Sequence, residues 1–353
     1  MDIEPQKNKT EPIAIWSITP NGKVLAQNIQ NVLKGSVLFA SVKIWGGNQL
    51  DKDTFTFEKL SKEIHQQFNK FRGHVFIFST GIAVRIIAPL LESKTIDPAV
   101  VVVDDNGNYA ISLISGHLGG ANALTKKIAA IINATPVITT ATDTNLLPSI
   151  DLIAKDGHLY IETPQNIKVI NMAFLTGKPV NLYDPFGFIK KKLTKTFWTN
   201  KNQKDGATGK IFCSCEAKDV SRETLILRPP VLSVGIGCNR GTSCEKLKQF
   251  LFMVFKKEGL SVNSICRFAT INIKKDETGL LALSKAMKIQ IDFYDKKKLN
   301  SVKTIMTPSK MAEKHLGVKS VCEAAAILSA GSGKLIVPKK KNKDVTIAVA
   351  IKT

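Results

Sequence analysis

DPAVVVVDDNGNYAISLISGHLGGAN, residues 97–122, is the stretch from which the chain is read. Ala99 to Val103 is an apolar, β-branched run of the kind a buried strand uses. Asp105-Asn106-Gly107-Asn108 follows, and Asn-Gly between two apolar runs signals a hairpin, because glycine takes a positive φ at little cost. Residues 109–114 are the return strand. Ser115-Gly116-His117-Leu118-Gly119-Gly120 then opens a helix whose stripe is Leu118, Ala121, Leu124, Ile128 and Ile131, ending near Asn133. Paired glycines in a first helical turn cost stability. Their presence implies that backbone lies close to something. A helix N-terminus offers unpaired N–H groups and the positive dipole end to an anion, and His117 adds a group that titrates near neutrality.

Working outward, the upstream chain alternates strands at 13–18, 36–40 and 74–78 with helices. One helix follows Thr19-Pro20 and carries Leu25, Ile29, Val32 and Leu33 on one face; another spans 57–71 with Leu60, Ile64 and Phe68. His65 falls on the polar face and receives no role. Ser79-Thr80-Gly81 is a strand-to-helix corner. Ligands of open α/β sheets bind at strand carboxyl ends, so Thr80 and Gly81 are candidate ligand contacts as well as a helix cap. Arg85, one turn in, reads as an exposed ion pair or as a fork for a carboxylate, the latter preferred. Downstream, residues 135–140 form another strand, with Thr139, Thr140 and Asp143 at its carboxyl end.

The expected fold class is α/β: a disordered tail at 1–11, an N-terminal alternating α/β domain at 12–134, a less regular central α/β region at 135–228, and a C-terminal α/β domain with a mixed sheet at 229–353. The central region reads as a helix at 164–175, a strand at 179–183 and a lysine-rich insertion or linker at 190–218. Cys213-Ser214-Cys215 lacks a second pair at zinc spacing and reads as free thiols. Past Pro229-Pro230, the strand at 231–236 runs into Gly235-Ile236-Gly237-Cys238-Asn239-Arg240-Gly241-Thr242-Ser243. Its glycines are spaced G-x-G-x-x-x-G, one residue too many for a dinucleotide fingerprint. Gly235, Gly237, Arg240, Gly241 and Thr242 therefore read as an anion-cradling corner of another kind, or as a tight turn without a ligand. Thr242 with Glu245, and Ser320 with Glu323, read as capping boxes. Strands at 268–273 and 289–294 flank a helix at 277–287, and 335–337 with 345–351 form a closing hairpin. Gly331-Ser332-Gly333-Lys334-Leu335 is not a phosphate loop, since Leu335 stands where Ser or Thr is required and Leu328 where glycine is.

The 353 residues carry a formal charge of +21, nearly all from lysine. Arginine occurs only at Arg72, Arg85, Arg222, Arg228, Arg240 and Arg267. Scattered lysines without clustered arginine argue against nucleic acid and fit a solvated surface, or a field that draws in a polyanionic small molecule. No apolar run is long enough to span a membrane. The acidic start lacks a signal peptide, and six cysteines in so long a chain read as reduced thiols, so the cytoplasm is the expected location. There is no G-x-S-x-G elbow and no H-E-x-x-H, and none of the five histidines is paired at ligand spacing. What remains is a set of anion-friendly corners with Asp104, Asp105, His117 and Asp143. These suit general-base activation of water against an acidic substrate, with backbone N–H groups holding the oxyanion.

The ordered set STGIAVRIIAPLL, DPAVVVVDDNGNYAISLISGHLGGAN, TPVITTATD, VGIGCNRGTS and SVCEAAAILSA closely resembles the cobalt-precorrin-5A hydrolase family (CbiG) of anaerobic cobalamin synthesis over nearly the whole chain. The C-terminal part also resembles CobE, with Asn272 where aspartate would be expected. The resemblance implies a hydrolase that opens the δ-lactone of a cobalt corrinoid and releases acetaldehyde. It implies no built-in cofactor, since cobalt comes with the substrate, and it makes neighbouring enzymes of the pathway candidate partners. The polycarboxylate substrate would use Thr80, Gly81, Arg85, Ser115, Gly116, Gly119, Gly120, Asn122, Thr139, Thr140, Gly235, Gly237, Arg240, Gly241 and Thr242. His117, Asp104 or Asp143 would activate water. His117 remains open as base, as axial ligand of the substrate cobalt, or as a helix cap. The rival reading is a non-catalytic carrier of the same corrinoid.

Overall fold

The computed structural model describes residues 12–45, 52–93, 96–199 and 207–352; the tail at 1–11 lies outside them. The chain forms two compact units, Met1–Lys155 and Asp156–Thr353.

The first unit is built on one seven-stranded sheet. Its strands are β1 (Ile13–Ser17), β2 (Val37–Ser41), β3 (Thr54–Phe57), β4 (Gly73–Ile77), β5 (Ala99–Val103), β6 (Tyr109–Ile114) and β7 (Thr135–Val137), in the order β3-β2-β1-β4-β5-β6-β7. The first five run parallel. Every residue of β1, β4 and β5 is buried, because helices cover both faces of a parallel sheet and leave no polar side. One face packs Ile13, Ile15, Val75 and Val101, the other Ala14, Trp16, Phe76 and Val102. The helices are α1 (Pro20–Val32), α2 (Val42–Trp45), α3 (Leu60–Gln67), α4 (Thr80–Ile87), α5 (Ala121–Ile132), α6 (Ala141–Thr144) and α7 (Ile150–Asp156). Two expectations change. Val32 is 60% exposed, the inward stripe of α1 being Gly22, Ala26 and Ile29. Residues 54–57 form the edge strand β3, so Phe57, read as the first residue of a helix, ends a strand and α3 begins only at Leu60. The first body also extends beyond 134, because β7 pairs in parallel with β6 and carries the sheet past that point.

The hairpin sets the direction of everything that follows it. β6 runs antiparallel to β5, with Val103 opposite Ala110 and Val100 opposite Ile114. The end of β6 therefore lies beside the start of β5, at the amino edge of the parallel strands. The carboxyl ends of β4 and β5 lie at the opposite edge, about 16 Å away over five strand residues.

His74 sits wholly buried in β4 among Trp16, Phe68, Phe71 and Phe76. Trp16 Nε1 donates to its Nδ1 at 3.1 Å, so Nε2 carries the ring proton and donates to the Phe68 carbonyl at 3.0 Å. Burial pushes its pKa down to about 4 against the ordinary 6.5, the backbone bond only partly opposing this. The folded state thus holds a neutral ring. Its contribution is complete above pH 6.5 and is lost as pH falls toward 4, because the unfolded chain takes the proton first. Urea unfolding should show this site costing about 3 kcal/mol between pH 7 and pH 4. His74→Phe, which needs no proton, should lose less stability over the same range than the native chain; an equal loss in both would refute the assignment.

The second unit holds two five-stranded sheets. One comprises β8 (Tyr160–Ile161), β9 (Val180–Tyr183), β10 (Trp198–Thr199), β11 (Lys210–Cys213) and β12 (Thr224–Arg228), in the order β10-β9-β11-β12-β8, with α8 (Ile167–Leu175) beside it in sequence. The lysine-rich stretch at 190–218 therefore contains two strands of this sheet, β10 and β11; its residues 200–206 lie outside the described residues. The other sheet comprises β13 (Leu232–Cys238), β14 (Ile265–Ile271), β15 (Ile291–Tyr294), β16 (Lys334–Lys341) and β17 (Val345–Ile351), in the order β15-β14-β13-β17-β16. β13, β14 and β15 are parallel, and β17 is antiparallel to β13 and β16, so the sheet is mixed. Its helices are α9 (Cys244–Lys257), α10 (Thr278–Met287), α11 (Lys296–Ser301), α12 (Lys310–Leu316) and α13 (Val321–Ser329). Among the described residues, no helix is long and apolar enough to cross a membrane.

Candidate active site

At the end of β6 the chain does not enter a helix directly. Residues 116–119 form a turn, and α5 begins only at Ala121, with Gly120 as N-cap at φ +92°. The glycines keep this turn tight. A side chain on Gly116 would meet Asn122 Oδ1 at 2.7 Å, and one on Gly119 would meet Ser115 Cβ at 2.3 Å. His117 therefore sits in the loop before the helix, not in its first turn. The sequence reading placed it one element too late, because the second glycine ends the turn rather than starting the helix.

The loop delivers His117 between two carboxylates. On one side its Nε2 lies 2.8 Å from Asp143 Oδ2 and 3.1 Å from Thr142 Oγ1, both on α6. On the other its Nδ1 lies 3.3 Å from Asp151 Oδ2 and 3.1 Å from Ser149 Oγ, at the start of α7. The side chains of His117, Asp143 and Asp151 are 13%, 22% and 7% exposed. Asp143 is held further by Asn122, whose Nδ2 donates to Asp143 Oδ2 at 2.9 Å and to Thr140 Oγ1 at 3.0 Å. Ser112 Oγ donates to Asn122 Oδ1 at 2.6 Å, which fixes which way the buried amide points. Asp143 Oδ1 lies 3.8 Å from Nζ of the exposed Lys126. The hydrogen bond to Asp151, then the bond to Asp143 and the charges of Asp151 and Asp143, raise the His117 pKa above its ordinary value against the opposing effect of burial. The N–H groups of residues 117–120 have no hydrogen-bond acceptor among the described residues, while Lys155 Nζ is anchored on the Leu118 carbonyl at 2.9 Å.

Of the residues read from sequence, His117, Asp143, Asn122 and Thr140 meet here, with Ser115, Gly116, Gly119 and Gly120 shaping the loop. Thr139 is exposed beside them. Asp104 does not join them. It closes its own hairpin, accepting from the N–H of Tyr109 at 2.6 Å and of Asn106 at 3.3 Å, and it lies at the opposite edge of the sheet. Thr80, Gly81 and Arg85 are at that opposite edge too, at the carboxyl end of β4. Arg85 is exposed, lies over Gly81 and has no ion pair among the described residues. These residues cannot share one cleft with His117, because the hairpin reverses the chain between them.

Asp151, Ser149 and Thr142 were not read as site residues. One signal was present: Ser149-Ile150-Asp151 after Pro148 is a helix start, with a hydroxyl and an acid in the first turn.

The glycine corner of β13 serves packing. A side chain on Gly235 would fall 1.8 Å from the Cys322 carbonyl oxygen of α13, and one on Gly237 would fall 2.5 Å from Thr346 Oγ1. The anion cradled by this loop is the protein's own: the Gly241 N–H donates to Glu277 Oε1 at 2.8 Å, and Lys274 pairs with the other oxygen at 3.0 Å. Arg240 is spent on exposed Asp276 at 2.7 Å. The helix cap is Ser243, not Thr242, whose hydroxyl donates to the Asn239 carbonyl. Glu323 is no cap either. Wholly buried, it accepts from the N–H groups of Met306, Thr307 and Lys339 at 2.8, 3.0 and 2.8 Å and from the Thr307 hydroxyl. Burial would raise its pKa, but these donors hold it below the ordinary range.

Three family models match the chain in succession: Cobalamin synthesis G N-terminal over residues 62–143, Cobalamin biosynthesis central region over 148–229, and Cobalamin synthesis G C-terminus over 232–350. A cobalt-precorrin-5A hydrolase of Priestia megaterium is 31% identical, covering 99% of this chain and 99% of its own. One from Salmonella typhimurium is 29% identical over 97% and 98%. The protein CobE of a Sinorhizobium species is 26% identical over 34% of this chain and 79% of its own.

Proposed function

The chain belongs to the cobalt-precorrin-5A hydrolase family of cobalamin biosynthesis, and from this premise we propose that it opens the δ-lactone of cobalt-precorrin-5A with release of acetaldehyde, giving cobalt-precorrin-5B. The observation that carries the reading is similarity over the full length to hydrolases so named. The local chemistry is supported by a largely buried carboxylate, Asp143, whose Oδ1 accepts no hydrogen bond among the described residues, beside unpaired loop N–H groups.

Asp143 Oδ1 takes a proton from water as the water oxygen bonds to the lactone carbonyl carbon. N–H groups of the 117–120 loop are the donors for the oxyanion. The tetrahedral centre collapses, the ester C–O bond breaks, and an acid and an alkoxide on the meso carbon result. That alkoxide becomes the aldehyde C=O as its carbon–carbon bond to the ring breaks, the bonding pair passing into the macrocycle. Cobalt enters and leaves as part of the corrinoid. With both ring nitrogens engaged, His117 is suited neither to axial ligation of that cobalt nor to taking the proton. The positive charge of the chain favours capture of a polycarboxylate.

Anaerobic incubation with cobalt-precorrin-5A should yield acetaldehyde together with a corrinoid lighter by the lost two-carbon fragment net of the water added. A bound but unchanged corrinoid would establish the carrier reading instead.

A further inference from the structure

Resting on the hydrolase reading, we infer that Asp151 is a positioning residue that keeps the His117 ring doubly protonated between two carboxylates, so that Asp143 Oδ1 and not His117 accepts the proton of the attacking water. The inference follows from where the protons can go. The Ser149 hydroxyl donates its one proton to Asp151 Oδ1. It has none left for His117 Nδ1, so Nδ1 must be a donor toward Ser149 Oγ and Asp151 Oδ2. At the other nitrogen, Asp143 Oδ2 already accepts from Asn122 Nδ2, whose orientation Ser112 fixes, and an ionised carboxylate only accepts. Nε2 therefore donates as well, and Thr142 Oγ1 supplies a second acceptor there. A ring that donates from both nitrogens is an imidazolium with no lone pair for a proton or for a metal.

The charged groups around the ring fit this state. Asp143 faces it from α6 and Asp151 from α7, while Lys126 on α5 reaches Asp143 Oδ1 at 3.8 Å and Lys155 binds the Leu118 carbonyl. Two carboxylates against one imidazolium leave one net negative charge. That charge is reactive at the less enclosed carboxylate, because Asp151 is the more buried of the two and has both oxygens engaged by Ser149 and His117, while Asp143 Oδ1 accepts no hydrogen bond among the described residues. Asp151 thus acts through His117: it holds the ring charged, and the ring's Nε2–H fixes Asp143 Oδ2 and so the turn of that carboxylate. The stability contributed by the charged ring is fully present below pH 6.5 and is lost as pH rises through the elevated His117 value.

The test uses the full chain with isotope-labelled histidine, the His117 signals being assigned by their loss in His117→Gln. Ring nitrogen shifts followed against pH should show His117 as imidazolium through neutrality, titrating above 6.5. In Asp151→Asn the midpoint should fall toward 6.5. Acetaldehyde release should fall on the order of tenfold in kcat with little change in KM, and its alkaline limb should move to lower pH. Asp151→Glu should restore part of both. Ser149→Ala removes only a hydroxyl, serves if Asp151→Asn does not fold, and should move the midpoint the same way by less. A neutral His117 ring in the native chain at pH 7, or a midpoint indifferent to Asp151→Asn and Ser149→Ala, overturns the inference. Native chain that releases no acetaldehyde sinks the hydrolase reading, and with it Asp143 as acceptor, while the ring titration still decides the role of Asp151.

Discussion

Asp143→Asn is expected to lower acetaldehyde release by about 10²- to 10⁴-fold, the range a positioned general base supplies. The replacement has the same shape, and the side chain is 22% exposed, so the site keeps its packing. What changes is chemistry. An amide at this position has no oxygen that can take a proton from water, whichever way it turns. It also removes one of the two charges that hold the His117 imidazolium. Substrate capture draws on the wider basic surface, so KM should change far less than kcat. The two are separated by steady-state rates with the lactone substrate, beside an unfolding curve to confirm an intact fold. Activity within threefold of native would remove Asp143 from the chemistry.

The largest loss of stability is expected at Gly235. An alanine Cβ there would lie 1.8 Å from the Cys322 carbonyl oxygen, 2.7 Å from its carbon and 2.9 Å from Ala326 N. All three are backbone atoms of α13, so no side chain can swing aside. The helix must lift from β13. It carries Cys322, Ala324, Ala325 and Ala326, each nearly or wholly buried, and these small residues are what allow the close approach. Gly235→Ala should cost about 3 kcal/mol or more, at the upper end of overpacking effects. Urea unfolding reads it directly; a cost below about 1 kcal/mol would mean that α13 does not seat on the strand as described. The same substitution at Gly241, which has open space around it but φ +75°, tests backbone strain alone and should cost less.

Much of this fold was legible because its signals are local. The apolar runs of β1, β4 and β5, the Asn106-Gly107 hairpin and the stripe of α5 each follow from residues within one element of each other. β3 was missed because four residues of alternating Thr and Phe ahead of a helical pattern carry too little period to separate strand from approach. The candidate site was legible only in part. His117, Asn122 and Asp143 could be named from type and from their glycine-rich setting. Asp104 could be named on the same grounds, and it belongs to a turn. The hairpin signal itself implied that β6 returns to the other edge of the sheet, so the separation of Asp104 and Thr80 from His117 could have been drawn from it.

By itself, then, the sequence determined the α/β class, the succession of regions shared with the cobalt-precorrin-5A hydrolases, and a short set of ionisable residues, because residue type, spacing and order suffice for those. The tertiary structure alone decided that Asp151, 34 positions beyond His117, closes the far side of its ring. It also decided that Gly235 lets α13 seat on β13 and that the Gly241 N–H meets the protein's own Glu277. Those facts depend on which groups meet across a folded sheet. A carboxylate changes the charge of an imidazole over about 3 Å of space, whatever the length of chain between them.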